Sequence, residues 1–225
     1  MSDGIILPHG GYKKLLTYQK SDIIFQGTVV FVKRFLVCGD RTIDQMVQAA
    51  RSGKQNIIEG SEASATSKGT ELKLTNVAKA SLEELLEDYL DYLKTHNLTE
   101  WPKDSEKGLA ARKLGREGTW ETFAPHLETK SDEVAANLML SLIRQCTFLL
   151  SRQIAYLEED FKRHGGIRER MYAARSEARG EDWGKAAHSH LASAKSADEL
   201  ESRYSEMAAE LRHMANRLKK RNGWE

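Results

Sequence analysis

The stretch Gln48-Ala49-Ala50-Arg51-Ser52-Gly53-Lys54-Gln55-Asn56-Ile57-Ile58-Glu59-Gly60 decides the fold. Ala49, Ala50, Ser52 and Gly53 carry almost no side-chain bulk, so a second helix can approach closely, while Gln55 and Asn56 put amides where helix propensity alone would not. With Ile43, Met46, Val47, Ile57 and Ile58 as apolar positions, the segment predicts a helix from about Arg41 to Glu59, ended by Gly60. Its natural partner follows a polar loop at residues 60–69, where Leu72, Leu74, Val77, Leu82, Leu85, Tyr89 and Leu93 repeat with helical period. Ser81-Leu82-Glu83-Glu84 imitates a capping box, but the period runs unbroken through it and places Ser81 inside the helix.

On either side lie two longer apolar helices. From Tyr12 to Val37 there is no Pro, and Leu16, Ile23, Val30 and Val37 form one row while Ile24, Phe31 and Phe35 form another. Cys38-Gly39-Asp40 breaks this helix, with Gly39 suited to a left-handed turn and Asp40 to capping the next helix. The last long helix spans residues 132–164 and is again apolar on two rows, through Leu138, Leu142, Leu149 and Tyr156, and through Met139, Ile143, Cys146, Leu150 and Phe161. One apolar stripe suffices to face a core, so the doubled rows predict that copies of the chain associate side by side. Residues 98–131, holding Pro102, Pro125, three glycines and two tryptophans, show no sustained period and read as a long connection.

The organisation expected is therefore a helical domain over residues 12–163 and a helical C-terminal extension over residues 164–225, divided at Gly165-Gly166. In the extension, Ile167 to Arg179 reads as a short basic helix. Ser196-Ala197-Asp198-Glu199 starts another, whose seam is Leu200, Tyr204, Met207, Leu211, Met214 and Leu218.

Thirty-four Lys and Arg against 33 Asp and Glu leave a net charge of +1, so attraction to nucleic acid or membrane has to come from local clustering. Forty per cent hydrophobic residues with 30% charged and three prolines exclude collagen and global disorder. Cys38 and Cys146 are too far apart for a Cys-x-x-Cys motif, which points to a reducing compartment, and the N-terminal residues lack the basic start of a signal peptide; a cytoplasmic protein is expected. The apolar run Ile23 to Val32 contains Gln26 and is too short for a membrane span.

Phosphate-binding glycine loops, a nucleophile elbow and a zinc-protease helix are all missing from the sequence, and His188 and His190 alone make a poor metal site. Neither an enzyme nor a metal or cofactor is expected. Glu83-Glu84 and Glu87-Asp88 are consecutive on a helix and face water rather than converging on a pocket. Asn56 and Glu59 with Ser81, joined by Asn76 and Glu84, are candidates for a structural polar network between two close helices. Between residues 81 and 100 Lys94 stands alone against six acids, whereas Arg41, Arg51, Lys54, Lys68 and Lys73 flank the turn between the second and third helices as candidate phosphate contacts.

Gln48 to Gly60, with Thr66-Ser67-Lys68 and Val77-Ala78-Lys79-Ala80-Ser81-Leu82-Glu83-Glu84-Leu85, resembles the four-helix-bundle proteins encoded by intervening sequences of large-subunit ribosomal RNA genes. The same superfamily includes the accessory variability determinant of diversity-generating retroelements. The likeness covers Tyr12 to Leu93 by motif and residues 132–163 by pattern, and Gly165 to Met171 resembles a C-terminal suffix found in one branch. It implies an all-α fold, an up-and-down antiparallel four-helix bundle assembled as a homopentamer, with nucleic acid bound through basic surfaces. The long connection, the C-terminal extension and the near-neutral charge depart from the plain family pattern. The expectation is a non-enzymatic homo-oligomer that binds RNA or a nucleic-acid-handling protein, the alternative being a protein-interaction scaffold that binds no nucleic acid.

Overall fold

The computed structural model describes residues 11–165 without a break, and beyond them residues 167, 171–172, 174–177, 179, 189, 199, 202–203, 205–206, 208–210, 212–213 and 216–217. Among these, all regular structure is helical. The chain divides into two compact units, Met1–Glu169 and Arg170–Glu225. In the second unit the described residues are almost all helical and exposed. All six positions of the expected C-terminal seam, and His188 and His190, lie outside the described residues.

Among its described residues the first unit has a 3-10 turn, Tyr12–Lys14, and then six α-helices: α1 Leu16–Phe35, α2 Arg41–Ala63, α3 Lys68–Thr95, α4 Glu106–Glu117, α5 Trp120–Thr129 and α6 Asp132–His164. The turn before α2 forms as its residues dictate, with Gly39 at φ 93° and the Asp40 carboxylate accepting the Thr42 amide at 2.8 Å. Gly60 does not end α2. It lies buried inside the helix, 3.5 Å from the Glu71 carbonyl of α3 where a Cβ would sit, and the helix runs on to Ala63. The loop at residues 60–69 is thereby reduced to four residues, and Ser67 caps α3 through the Thr70 amide.

Helices α2 and α3 pack most extensively, in antiparallel register: Ser52 meets Ser81, Gly53 meets Leu82 and Gly60 meets Leu74. At Gly53 an added Cβ would come 2.7 Å from the Leu82 side chain, so the missing side chain sets the spacing of this pair. Helix α6 runs against α3, joined at one end by Tyr92 to Asp132 and at the other by Lys68 to Asp160. It also runs against α1, since Thr17 reaches Gln153 while Gly27 abuts Met139. The α1 helix closes the ring by packing on α2. The core between them centres on Phe31, which lies edge-on to Tyr89 at 4.8 Å and Tyr92 at 4.9 Å, and the buried Tyr89 hydroxyl donates to Thr28.

Residues 98–131 are not a plain connection. They fold into α4, packed on α6, and α5, packed on α1, with Phe123 and Leu127 fully buried. Helix α4 was invisible to a hydrophobic period because its buried stripe is Gly108, Ala111 and Gly115, which tells a helix where to pack without adding apolar bulk. The second apolar rows, from which side-by-side association was expected, are met largely by the other long helices: Phe31 lies against Tyr89 and Tyr92 of α3, Met139 against Gly27 of α1, and the Cys146 thiol donates to the Thr17 carbonyl of α1, while α5 adds Leu127 beside Gly27. What stays exposed on those rods is Leu16 (60%), Phe148 (61%), Tyr156 (69%) and Phe161 (45%). By length and composition α6 is the one described helix able to cross a membrane, and most of that stretch is buried in the protein.

Candidate functional site

Of the five cations expected at phosphates, Arg41, Arg51 and Lys73 are exposed. Lys54 is spent on Asp22 of α1 at 3.2 Å and stands 4.4 Å over the Phe25 ring. Lys68 bridges Glu71 at 3.1 Å and Asp160 at 3.4 Å, half-buried between three helix ends. The five are not gathered. Lys68 and Lys73 share the start of α3, Arg51 and Lys54 lie farther along α2, and Arg41 is at the other end of that helix, about 30 Å away at 1.5 Å per residue.

The expected polar network forms in part. Ser81 Oγ meets Ser52 Oγ at 2.9 Å, and the Asn56 amide donates to the Ser52 carbonyl at 2.9 Å and to its hydroxyl at 3.2 Å. Ser52 is the link that sequence reasoning left out. Glu59 is exposed and stays outside the network.

A recess with cationic walls lies elsewhere, between α4 and α6, below the start of α1. It encloses about 360 Å³. One wall is the stripe of α6 that carries Asn137, Ser141, Gln145 and Phe148, spaced by three and four residues so that they share a face. The opposite wall is α4, which comes close because of its small residues: a Cβ at Gly115 would stand 2.4 Å from the Gln145 amide nitrogen of α6, and one at Gly108 would stand 2.3 Å from the Pro102 carbonyl oxygen. Ser105 caps α4 through the Gly108 amide at 3.1 Å, and the Gln145 amide donates to the Arg112 carbonyl at 3.1 Å, tying the two walls together.

Trp101 closes one end. Asn137 positions it by accepting the Trp101 backbone amide at 2.7 Å and donating to the Thr99 carbonyl at 2.9 Å, while the indole N–H donates to Glu133 at 2.9 Å. Every charged side chain lining the recess is cationic: Lys20, Lys103, Arg112, Arg116 and Arg144. Arg144 is paired outward with Glu100 at 2.7 Å. Lys103, Arg112 and Arg116 are exposed and meet no carboxylate among the described residues.

Two details mark the depth of this site. Lys20 is only 8% exposed and donates to the Gly115 carbonyl, and loss of water around it lowers its pKa below the usual lysine range. Beside it, burial pushes the Cys146 thiol up to about 12, so it stays protonated. Ser141 Oγ is buried and has no hydrogen-bond partner, although it borders the recess. A buried hydroxyl without a partner is rare enough to need an occupant or a reason.

The arrangement can attract and hold an anion that carries an apolar or flat body. The sequence does not display it because residues 98–131 carry no sustained hydrophobic period and Arg144 belongs to an otherwise apolar helix. The available signal was Trp101 followed by Lys103, with Arg112 and Arg116 four residues apart on one helical face. Three or more residues able to hold a metal do not come together among the described residues. No protein-family model, curated protein or solved structure matches the chain.

Proposed function

We propose that the chain is a non-enzymatic RNA-binding protein of the ribosomal RNA intervening-sequence type, with α1, α2, α3 and α6 as the rods of an up-and-down antiparallel four-helix bundle. Its phosphate-contacting surface is the α4–α6 recess rather than the α2–α3 turn. The observation that carries this reading is the set of exposed cations Lys103, Arg112 and Arg116 at the recess, which meet no carboxylate among the described residues, against the spending of Lys54 and Lys68 in ion pairs. RNA binding is driven by such phosphate contacts, and each one adds about 0.7 to the log-log salt slope on single strands.

Titration of single-stranded RNA at 50 and 200 mM salt tests it. The double variant Arg112→Glu/Arg116→Glu should weaken binding at least tenfold and flatten the salt slope by about 1.4, the equivalent of two contacts. Arg51→Glu/Lys73→Glu should change it much less. Equal losses in the two variants would return the contact surface to α2 and α3, and salt-insensitive or undetectable binding in the wild type would end the reading.

The second reading, a protein-interaction scaffold, is favoured by one feature, the apolar exposure of Leu16, Phe148 and Tyr156. Self-association into a homopentamer would use the same kind of surface. Light scattering separates these: a mass several times 25.4 kDa supports the assembly. A single chain would leave those residues for another protein, one that survives nuclease treatment in a pull-down.

A further inference from the structure

A deep cationic recess takes more than a phosphate chain lying along its rim, because its interior is neither empty of hydrogen-bonding groups nor fully apolar. The buried Ser141 hydroxyl has no partner, and Gln145 uses only one amide hydrogen, on the Arg112 carbonyl. A fatty acyl chain placed here would strip water from the Gln145 amide and from the guanidinium groups at the mouth with nothing to bond them, which is costly. A flat heteroaromatic ring with donors and acceptors on its edge satisfies them and offers a face to Trp101, since base-on-aromatic stacking accepts any base. The volume of about 360 Å³ lies near the lower end of small-molecule sites, enough for one ring with its sugar and too small for stacked base pairs. At the mouth, Arg112 and Arg116 stand one turn apart on α4, and guanidinium groups match phosphate oxygens in a two-pronged fashion.

We propose that the recess between α4 and α6 receives one nucleotide, its base beside Trp101 and Ser141 and its phosphate at Arg112 and Arg116. The nucleotide is either an unpaired position of an RNA strand or a free nucleoside monophosphate. This rests on the proposed RNA-contacting surface and narrows it from charge to shape: a strand has to surrender one unstacked base, so a perfect duplex is refused.

The test follows the indole N–H signal of Trp101 in ¹⁵N-labelled full-length protein, assigned by its loss in Trp101→Phe. The probes are AMP, UMP, inorganic phosphate, a short single-stranded RNA and a duplex of the same length. Nucleotides and the single strand should shift that signal, while inorganic phosphate and the duplex leave it in place. Ser141→Leu, which fills the recess without changing charge, should weaken the single strand at least tenfold. Arg112→Gln, at an exposed position that does not bear on folding, should do the same.

If RNA binds with a salt slope but single strand and duplex bind alike, Trp101 does not move and Ser141→Leu binds as tightly as wild type, the nucleotide pocket is overturned and the RNA surface stands. If AMP and UMP shift Trp101 while no RNA binds, the pocket stands and the RNA reading falls. If neither RNA nor nucleotides bind, both fall.

Discussion

Asp88 and Lys20 are both placed where burial disfavours their charged forms, raising the pKa of the first and lowering that of the second. Asp88 on α3 has one carboxylate oxygen buried without a partner. Burial first, then the neighbouring charges of Glu84 and Asp91, raise its pKa above the usual aspartate range. The folded protein therefore takes up this proton more readily than the unfolded chain. The site favours folding below the ordinary aspartate range, and that contribution is lost as pH rises through the raised pKa. Asp88→Asn should stabilise the protein at pH 7 by less than about 1 kcal/mol, since solvent screens this partly exposed site, with the gain shrinking as pH falls through the raised pKa and gone below the ordinary aspartate range, as read by thermal unfolding at neutral pH and in acid. A variant less stable at pH 7 would mean that the carboxylate has a partner in solution. The same scale shows why the expected phosphate contacts at Lys54 and Lys68 were not legible. Their carboxylates, Asp22 and Asp160, come from helices 32 and 92 residues away, and local charge counting does not see across the fold.

At the scale of elements, the turn at residues 38–40, the Asp40 cap of α2 and the close approach of α2 to α3 were written in local chemistry: a glycine with positive φ, a capping carboxylate, and small residues at helical spacing. Helices α4 and α5 were not. A stripe of Gly108, Ala111 and Gly115 has helical period but no hydrophobic contrast, and Pro125 inside α5 reads as a breaker. That stripe is the reason the recess exists, because larger residues would hold α4 away from Pro102 and from α6. Gly108→Ala puts a methyl group 2.3 Å from a backbone oxygen that has little room to yield. Overpacking at about 1–3 kcal/mol outweighs the roughly 1 kcal/mol that alanine gains over glycine in a helix, so urea unfolding should show a net loss of about 1 kcal/mol or more. Gly69→Ala, where an added Cβ meets nothing within 4 Å, should stabilise the protein instead. If both substitutions raised stability, the seating of α4 against residues 102–103 would be wrong.

For the whole molecule, the governing fact is that the connection between α3 and α6 serves as a second layer of the fold. It covers apolar surface on α1 and α6 that a bare set of four rods would leave open, and it brings Trp101, Arg112 and Arg116 beside the stripe of α6 that carries Ser141. The apolar rows of α1 and α6 were legible in the sequence; the layer that α4 and α5 add beside them was not, because it comes from a segment whose own helices are short and weakly patterned. The charge of the molecule is likewise near zero in sum and arranged in space, with the acids Asp40, Asp88 and Asp91 around a hollow near the start of α2 and cations around the recess at α4. Under the proposed function, long-range attraction of an RNA strand would depend on the local field at α4.

The most direct test of this account is photochemical cross-linking of a uridine-containing single-stranded RNA to the full-length protein, followed by identification of the cross-linked peptides. The account predicts adducts at residues 101–116 and 141–148, with Trp101 prominent among them. Adducts concentrated on α2 and the start of α3, at residues 41–73, would contradict it.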